Sequence, residues 1–174
     1  MKVGTGPYTY ELEENFAKMP EGETIGLISR VTTDSQNRLY IFQRKDPAVL
    51  IFDKDGKFVS SWGAGLFKRA HGFKIVNDVV YLTDQTDNVA LIYTLDGKLI
   101  KQLGTRGQHS DTGCTDWKIL PLRAAGPFNH PTELIPAPWG ELYVTDGYRN
   151  SRVHRFSKDG DLIQSWGQIG RAHV

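Results

Sequence analysis

The side chains best suited to chemistry in this sequence are its five histidines, of which His71 stands at the start of an apolar segment. An imidazole can bind a metal ion or move a proton, but a zinc site requires three or four ligands. The other histidines are spread over a polar segment, a loop, a strand-like segment and the end of the chain: His109, His130, His154 and His173. On residue types alone, His71 is most simply a hydrogen-bonded structural histidine.

Tyr148 and Arg44 are two further candidates. A tyrosine with the ordinary pKa of about 10 is a poor base at neutral pH unless a metal or a cation lowers that value. The structural alternative is that Tyr148 packs in an Asp-Gly-Tyr turn while Asp146 and Arg152 form an ion pair. Arg44 could likewise pair with the carboxylate of Asp46 rather than with a ligand.

The composition argues against several classes of function. Of the 174 residues, 39% are hydrophobic and 24% are charged, and the net charge of +1 provides no field to attract nucleic acid or an anionic membrane. No apolar run approaches the roughly 20 residues that span a bilayer. The start of the sequence lacks the apolar stretch of a secretory signal, which leaves the cytoplasm as the default expectation. The single cysteine, Cys114, permits no internal disulfide and has no nearby histidine to activate it.

Three copies of one pattern extend along the chain and must position the candidate side chains. Each copy contains a tyrosine-bearing apolar segment, an Asp-Gly turn and a second glycine seven residues after the first. An aromatic residue stands four positions before the turn glycine in every copy. This register indicates a structural repeat. The aromatic residues predicted to pack between repeats are Tyr40, Tyr81, Tyr143, Trp62 and Trp166.

Each copy predicts a group of short antiparallel strands. Segments rich in Val, Ile, Leu, Tyr and Phe alternate with Asp-Gly turns, in which glycine accepts a positive φ at no steric cost. The first two tyrosines are 41 residues apart, which fits a four-stranded propeller blade. Blades are predicted near 28–63, 71–104 and 130–167. The polar, glycine-rich insert at 105–127 is predicted to form a long loop on one face.

The third copy and the segment before it resemble an NHL repeat. The resemblance is carried by the stretch Gly126-Pro127-Phe128-Asn129-His130-Pro131-Thr132-Glu133 and by residues 140–156. Within NHL propellers, the sequence is similar to the peptidyl-α-hydroxyglycine α-amidating lyases, also called peptidylamidoglycolate lyases, and to their bacterial relatives. That narrower similarity rests on Phe42-Gln43-Arg44, Ala70-His71-Gly72-Phe73, and Asp146-Gly147-Tyr148 with Asn150-Ser151-Arg152.

The resemblance implies an all-β fold, a six-bladed β-propeller of NHL type with substrate and metal ions at the mouth of the central channel. About three four-stranded blades are expected in this chain, so residues 1–168 are interpreted as the N-terminal half of such a ring. The missing C-terminal blades would be needed to close it. Residues 169–174 are interpreted as a non-native tail.

The reaction of the similar lyases splits a peptidyl-α-hydroxyglycine into a peptide amide and glyoxylate. The resemblance implies that His71 is one of three histidine ligands of a catalytic zinc ion, that Tyr148 is the base and that Arg44 orients the substrate. It also implies that the backbone carbonyls of Val31 and Phe73 bind a structural calcium ion. The remaining zinc ligands would lie outside this chain, so the fragment alone is expected to be inactive.

Two functions remain open from the sequence. One is the metal-assisted lyase, which acts on a peptide-like small substrate. The other is a non-catalytic NHL-repeat propeller that binds a protein, a peptide or a glycan, since one fold serves many functions. The enzyme requires two further histidines at the starts of later blades, in a context like that of His71, whereas the binding module does not.

Overall fold

The computed structural model describes residues 1–116 and 118–167, and these residues form an all-β structure. They contain fourteen strands and no helix. No segment of this described part is therefore a helix of the length and apolar character needed to cross a membrane.

Short antiparallel meanders build the whole architecture. A hairpin of β1 (Lys2–Thr5) and β2 (Tyr8–Glu11) comes first. The three four-stranded sheets that follow have their strands in chain order. The first sheet contains β3 (Ile28–Thr33), β4 (Leu39–Gln43), β5 (Val49–Phe52) and β6 (Phe58–Trp62); the second contains β7 (Ala70–Val76), β8 (Val79–Asp84), β9 (Val89–Thr94) and β10 (Leu99–Leu103); the third contains β11 (Glu133–Pro136), β12 (Leu142–Asp146), β13 (Arg152–Phe156) and β14 (Leu162–Trp166).

The sheets pack face to face, and side chains that alternate along each strand fill the two spaces between them. Tyr40 and Phe42 of the first sheet meet Leu82 and Leu91 of the second sheet in one core. The other core joins the second and third sheets, with Phe128 fully buried in it. The first strands of the sheets, β3, β7 and β11, lie next to one another, as the inner strands of propeller blades do.

The repeated aromatic residues divide into two groups. Tyr40 is fully buried, Trp62 packs 5.2 Å from the Tyr93 ring, and Tyr81 packs against the second core, so the prediction is confirmed for these positions. Tyr143 and Trp166 contact each other at 6.2 Å on the opposite face of the third sheet, and Trp166 is 40% exposed. Within the described residues no further sheet covers that face, so the prediction does not hold for this pair.

The N-terminal segment covers the outer face of the first sheet, a feature that the repeat pattern does not predict. Its apolar side chains, together with Leu39 and Phe58, pack on the small cluster of Ile41, Leu50 and Phe52; those of the segment are Ala17, Met19 and Ile25. The backbone N–H of Lys18 donates to the carbonyl of Gly56 at 2.8 Å. This segment thus shields apolar surface that would otherwise face solvent.

Replacement of Leu82, which is fully buried between the first two sheets, should destabilise the fold strongly. We expect Leu82→Ala to lower the free energy of unfolding by about 2–5 kcal/mol, because apolar burial is lost and a cavity remains. Leu162, which is 44% exposed, provides the matched control, and Leu162→Ala should cost no more than about 0.5 kcal/mol. Urea unfolding measures both, and equal losses would contradict the stacking of the sheets.

Candidate functional site

A buried carboxylate fixes the chain just before β7. Asp84, the last residue of β8, is fully buried and accepts backbone N–H groups from Lys68 at 2.6 Å and Arg69 at 3.0 Å. It also accepts the N–H of Asp87 at 3.0 Å. These hydrogen bonds compensate the cost of burying the carboxylate. They therefore fix the position of the segment between the first two sheets where it enters β7.

Asp146 occupies the equivalent position at the end of β12. It accepts the N–H of Asn129 at 2.9 Å, the side-chain amide of Asn150 at 2.8 Å and a hydrogen bond from His154 Nε2 at 3.2 Å. His154 is fully buried, and its Nδ1 lies 2.7 Å from the hydroxyl of Ser165. Asp146 and His154 therefore hold the third sheet together from within and face no open surface.

The insert at 105–127 is tied to the loop that carries Tyr148. The amide of Asn150 donates to the Ala125 carbonyl at 2.7 Å, and the amide of Asn129 donates to the Thr112 hydroxyl at 3.0 Å. The described part of the insert contains no strand. Cys114 is buried inside it, with its thiol 2.9 Å from the Ile119 carbonyl, in a structural position.

His71 and Tyr148, 77 positions apart in the chain, meet at the start of the inner strands. The Nε2 atom of His71 lies 3.2 Å from the Tyr148 hydroxyl, and the two rings are T-shaped at 5.4 Å. The Nδ1 atom lies 2.8 Å from the carbonyl oxygen of Thr132. A carbonyl can only accept, so Nδ1 donates, and Nε2 of the neutral imidazole then accepts from the tyrosine hydroxyl.

A β-bulge and a glycine bring these groups together. The register of β7 against β8 shifts between Ala70 and Phe73, and such an extra residue re-aims the side chains beside it. The N–H of Gly72 donates to the Thr83 hydroxyl at 2.8 Å. A Cβ atom on Gly72 would lie 2.5 Å from the Thr132 carbonyl oxygen, so only glycine allows β7 and β11 to approach this closely.

Two arginines and one glutamate surround His71. Arg44 Nε donates to the Ala70 carbonyl at 3.2 Å, and Arg30 Nε lies 3.5 Å from a carboxylate oxygen of Glu133. Burial lowers the pKa of His71, the hydrogen bond to Thr132 opposes that change, and the positive charges of Arg30 and Arg44 lower the pKa further. The imidazole is therefore neutral at pH 7.

The structure thus places the three candidate residues His71, Tyr148 and Arg44 around one point. Asp46 accepts the backbone N–H of Gly65 at 3.1 Å, and Arg44 instead contacts the first residue of β7. In the part of the chain that the structure describes, no group of three or more His, Cys, Asp or Glu side chains could hold a metal ion. One imidazole is too few for zinc, so these residues do not form a zinc site by themselves.

The calcium candidates lie on the two inner strands. Val31 is in β3 and Phe73 is in β7, and these strands pack against each other. The resemblance implies that both residues act through their backbone carbonyls, which are suitable oxygen ligands for calcium. A calcium ion takes six to eight oxygen ligands, so the two carbonyls alone are not a site.

Several residues that shape the site carry little signal in the sequence. The carbonyl of Thr132 orients His71, but a backbone group has no residue-type signature. Asp84 and Asp146 could have been found, because both follow a threonine at the same place in the repeat. Arg30 and Glu133 meet only because β3 and β11 both lie beside β7.

The three stacked four-stranded meanders, with their inner strands side by side, are blades of a β-propeller of the NHL type. Homologues of the chain include NHL repeat-containing proteins and peptidyl-α-hydroxyglycine α-amidating lyases. The human NHL repeat-containing protein 3 is 30% identical over 92% of this chain and 47% of its own length. A probable peptidyl-alpha-hydroxyglycine alpha-amidating lyase of Caenorhabditis elegans is 30% identical over 66% of this chain and 30% of its own length.

The fold is also similar to that of solved propeller structures. A catalytically inactive virginiamycin B lyase from Staphylococcus aureus, with quinupristin, matches with a TM-score of 0.59 and 16% identity. The match covers 87% of this chain and 44% of that protein, and at this identity it shows the fold alone. No protein-family model matches the chain. The chain thus spans less than half the length of these relatives.

Gly72→Ala should destabilise the protein by about 1–3 kcal/mol, because the new methyl group would overlap the Thr132 carbonyl oxygen and Glu133 Cα. It should also separate Thr132 from His71. Gly147→Ala is the matched control, since nothing lies within 4 Å of a Cβ at that position, and it should change stability by no more than about 0.5 kcal/mol. Urea unfolding and the chemical shifts of the His71 ring test both variants, and an unchanged Gly72→Ala protein would refute the close approach.

His130 should make the fold sensitive to mild acid. Burial, and then the charge of Arg149, lower the pKa of His130 to about 4, below the ordinary value of 6.5. Between these values the unfolded chain binds a proton that the native state does not, so stability falls as the pH drops from 6.5 to 4, by on the order of 2 kcal/mol.

His130→Asn should remove that part of the pH dependence. Asparagine tolerates the positive φ of 67° at this position and does not titrate. Urea unfolding of both proteins at pH 7, 5.5 and 4 gives the comparison. An identical decline in the two proteins would show that His130 does not carry the effect.

Proposed function

We propose that this chain supplies the proton-accepting and substrate-orienting half of a lyase that cleaves peptidyl-α-hydroxyglycine to a peptide amide and glyoxylate. The contact between His71 Nε2 and the Tyr148 hydroxyl, at 3.2 Å, is the observation that carries the proposal. It joins two distant residues that the resemblance assigns to one site. The similarity to amidating lyases of several animals supports the same reaction.

The reaction requires few functional groups from the protein. Tyr148 acts here in its deprotonated form: once its own proton has been released to solvent, the phenolate oxygen accepts the proton of the substrate α-hydroxyl group. As the O–H electrons form the aldehyde C=O bond of glyoxylate, the C–N bond breaks, and the amide nitrogen takes up one proton to give the peptide amide. Arg44, whose Nε donates to the carbonyl of Ala70 next to His71, is proposed to hold the glycine carboxylate, and its planar guanidinium group suits that task.

His71 is proposed as a ligand of a zinc ion, with the other ligands outside the described residues. Bound zinc would lower the pKa of a coordinated hydroxyl group. The hydrogen bond to Thr132 leaves the lone pair on Nε2 and not on Nδ1, so a metal would bind at Nε2 in place of the hydrogen bond from the Tyr148 hydroxyl. The carbonyls of Val31 and Phe73 are proposed calcium ligands between the inner strands. Further blades are proposed to complete the ring.

Tyr148→Phe should reduce kcat/KM for glyoxylate formation by about 10²–10⁴-fold, because the phenyl ring has no oxygen to accept the proton. The gene product that contains this chain is incubated with zinc and a peptide that ends in α-hydroxyglycine, and released glyoxylate is measured. Tyr10→Phe is the matched control, since Tyr10 lies in the N-terminal hairpin and is 62% exposed. Full activity of Tyr148→Phe would remove Tyr148 from the mechanism.

A non-catalytic binding propeller is the second candidate. The human NHL repeat-containing protein 3 is as similar to this chain as the nematode lyase is, and the described residues supply one imidazole rather than three. A zinc-loaded protein that binds the α-hydroxyglycine peptide but releases no glyoxylate would favour this function. Glyoxylate release by the wild-type protein, lost in Tyr148→Phe, would exclude it.

A further inference from the structure

A second arginine beside His71 has no role in the reaction described above. Arg30 extends from β3 of the first sheet to Glu133 of β11 in the third sheet, and it therefore crosses the start of β7. Its neighbour Ser29 donates a hydrogen bond to the carbonyl of His71 at 2.8 Å. Arg30 thus lies beside the same residue that Tyr148 contacts.

The ion pair of Arg30 with Glu133 is loose. Its N–O distance is 3.5 Å, whereas charge-assisted hydrogen bonds are about 2.7–2.9 Å long. The Arg30 side chain is 49% exposed, and exposed pairs contribute little to stability. Arg155 and Glu141 on the third sheet show the contrast, with two contacts at 2.6 and 2.9 Å. Arg30 can therefore leave Glu133 for a better carboxylate without a large cost in stability.

The local charge favours an anion. The start of β7 has two guanidinium groups beside it, those of Arg30 and Arg44, and one carboxylate, that of Glu133. Clustered cations attract small anions. Ser29, next to Arg30, contacts the His71 carbonyl, and Arg44 contacts the carbonyl of Ala70, so an anion held by these arginines would lie near the pair of His71 and Tyr148.

We infer that Arg30 is a second carboxylate-binding residue of this site. Glu133 pairs with Arg30 until a small α-oxygenated carboxylate replaces it, such as the glycine end of the substrate or the glyoxylate product. The inference rests on the proposed function for the identity of the ligand. Arg30 is a binding residue here, and Glu133 sets the affinity by competition.

The test titrates the 174-residue chain with glycolate, which has a carboxylate and an α-hydroxyl group, and follows its amide and arginine side-chain NMR signals. Glycolamide, which lacks the charge, is the ligand control. Arg30→Gln should weaken glycolate binding about 10-fold or more, since a hydrogen bond to a charged group is lost. Arg38→Gln is the matched control because Arg38 pairs with Asp34 at the other end of β3. It should leave binding unchanged.

Glu133→Gln should tighten glycolate binding several-fold in the wild-type protein. The same substitution should have no effect on binding in the Arg30→Gln variant. That dependence separates competition from a change in folding, and equal thermal midpoints of the variants would confirm that they fold. Unchanged binding in Arg30→Gln, weaker binding in Glu133→Gln, or equal binding of glycolamide would each overturn the inference. The outcome does not depend on turnover. If the protein releases glyoxylate but Arg30→Gln binds glycolate as the wild type does, the lyase proposal stands and this inference fails. If glycolate binding depends on Arg30 but no glyoxylate is released, this inference stands and the lyase proposal fails.

Discussion

In the second and third sheets, a buried aspartate ends the second strand and accepts hydrogen bonds from the segment that precedes the first strand. The rest of the structure depends on these hydrogen bonds. A desolvated carboxylate is costly unless several hydrogen bonds satisfy it, and backbone N–H groups of the incoming chain do so at Asp84 and Asp146. These bonds determine where β7 and β11 begin. His71 and Thr132 follow within a few residues, so the same bonds determine where the candidate site forms.

The site belongs to the contact between sheets and not to any single sheet. A carbonyl from the segment before β11 orients an imidazole on β7, and Gly72 provides the space for that approach. Tyr148 comes from the loop after β12, directly beyond the aspartate that anchors the third sheet. Stacking of the sheets and assembly of the site are therefore one event, since neither the imidazole orientation nor the tyrosine contact exists without the core between the second and third sheets.

The regular part of this molecule follows from its sequence because the Asp-Gly turns and alternating apolar residues recur at a fixed spacing. The pairing of His71 with Tyr148 followed from resemblance, not from spacing, since 77 residues separate them. The Thr132 carbonyl and the Arg30–Glu133 pair arise from tertiary packing of strands whose residue types carry no such signal. The face with Tyr143 and Trp166 differs from expectation because the pattern repeats in the sequence, whereas no further sheet of the described residues packs on that face.

The positive charges of Arg30 and Arg44, the two arginines beside His71, act both on the imidazole and on a bound anion. Burial first, and then the positive charges of Arg30 and Arg44, lower the pKa of His71, which leaves Nε2 of the neutral imidazole able to accept a hydrogen bond or to bind a metal. The same field attracts a carboxylate, but a bound anion partly cancels it and so favours protonation of the imidazole. Glu133 already provides part of that negative charge before any ligand binds. When a ligand carboxylate replaces Glu133 at Arg30, that guanidinium group exchanges one negatively charged partner for another.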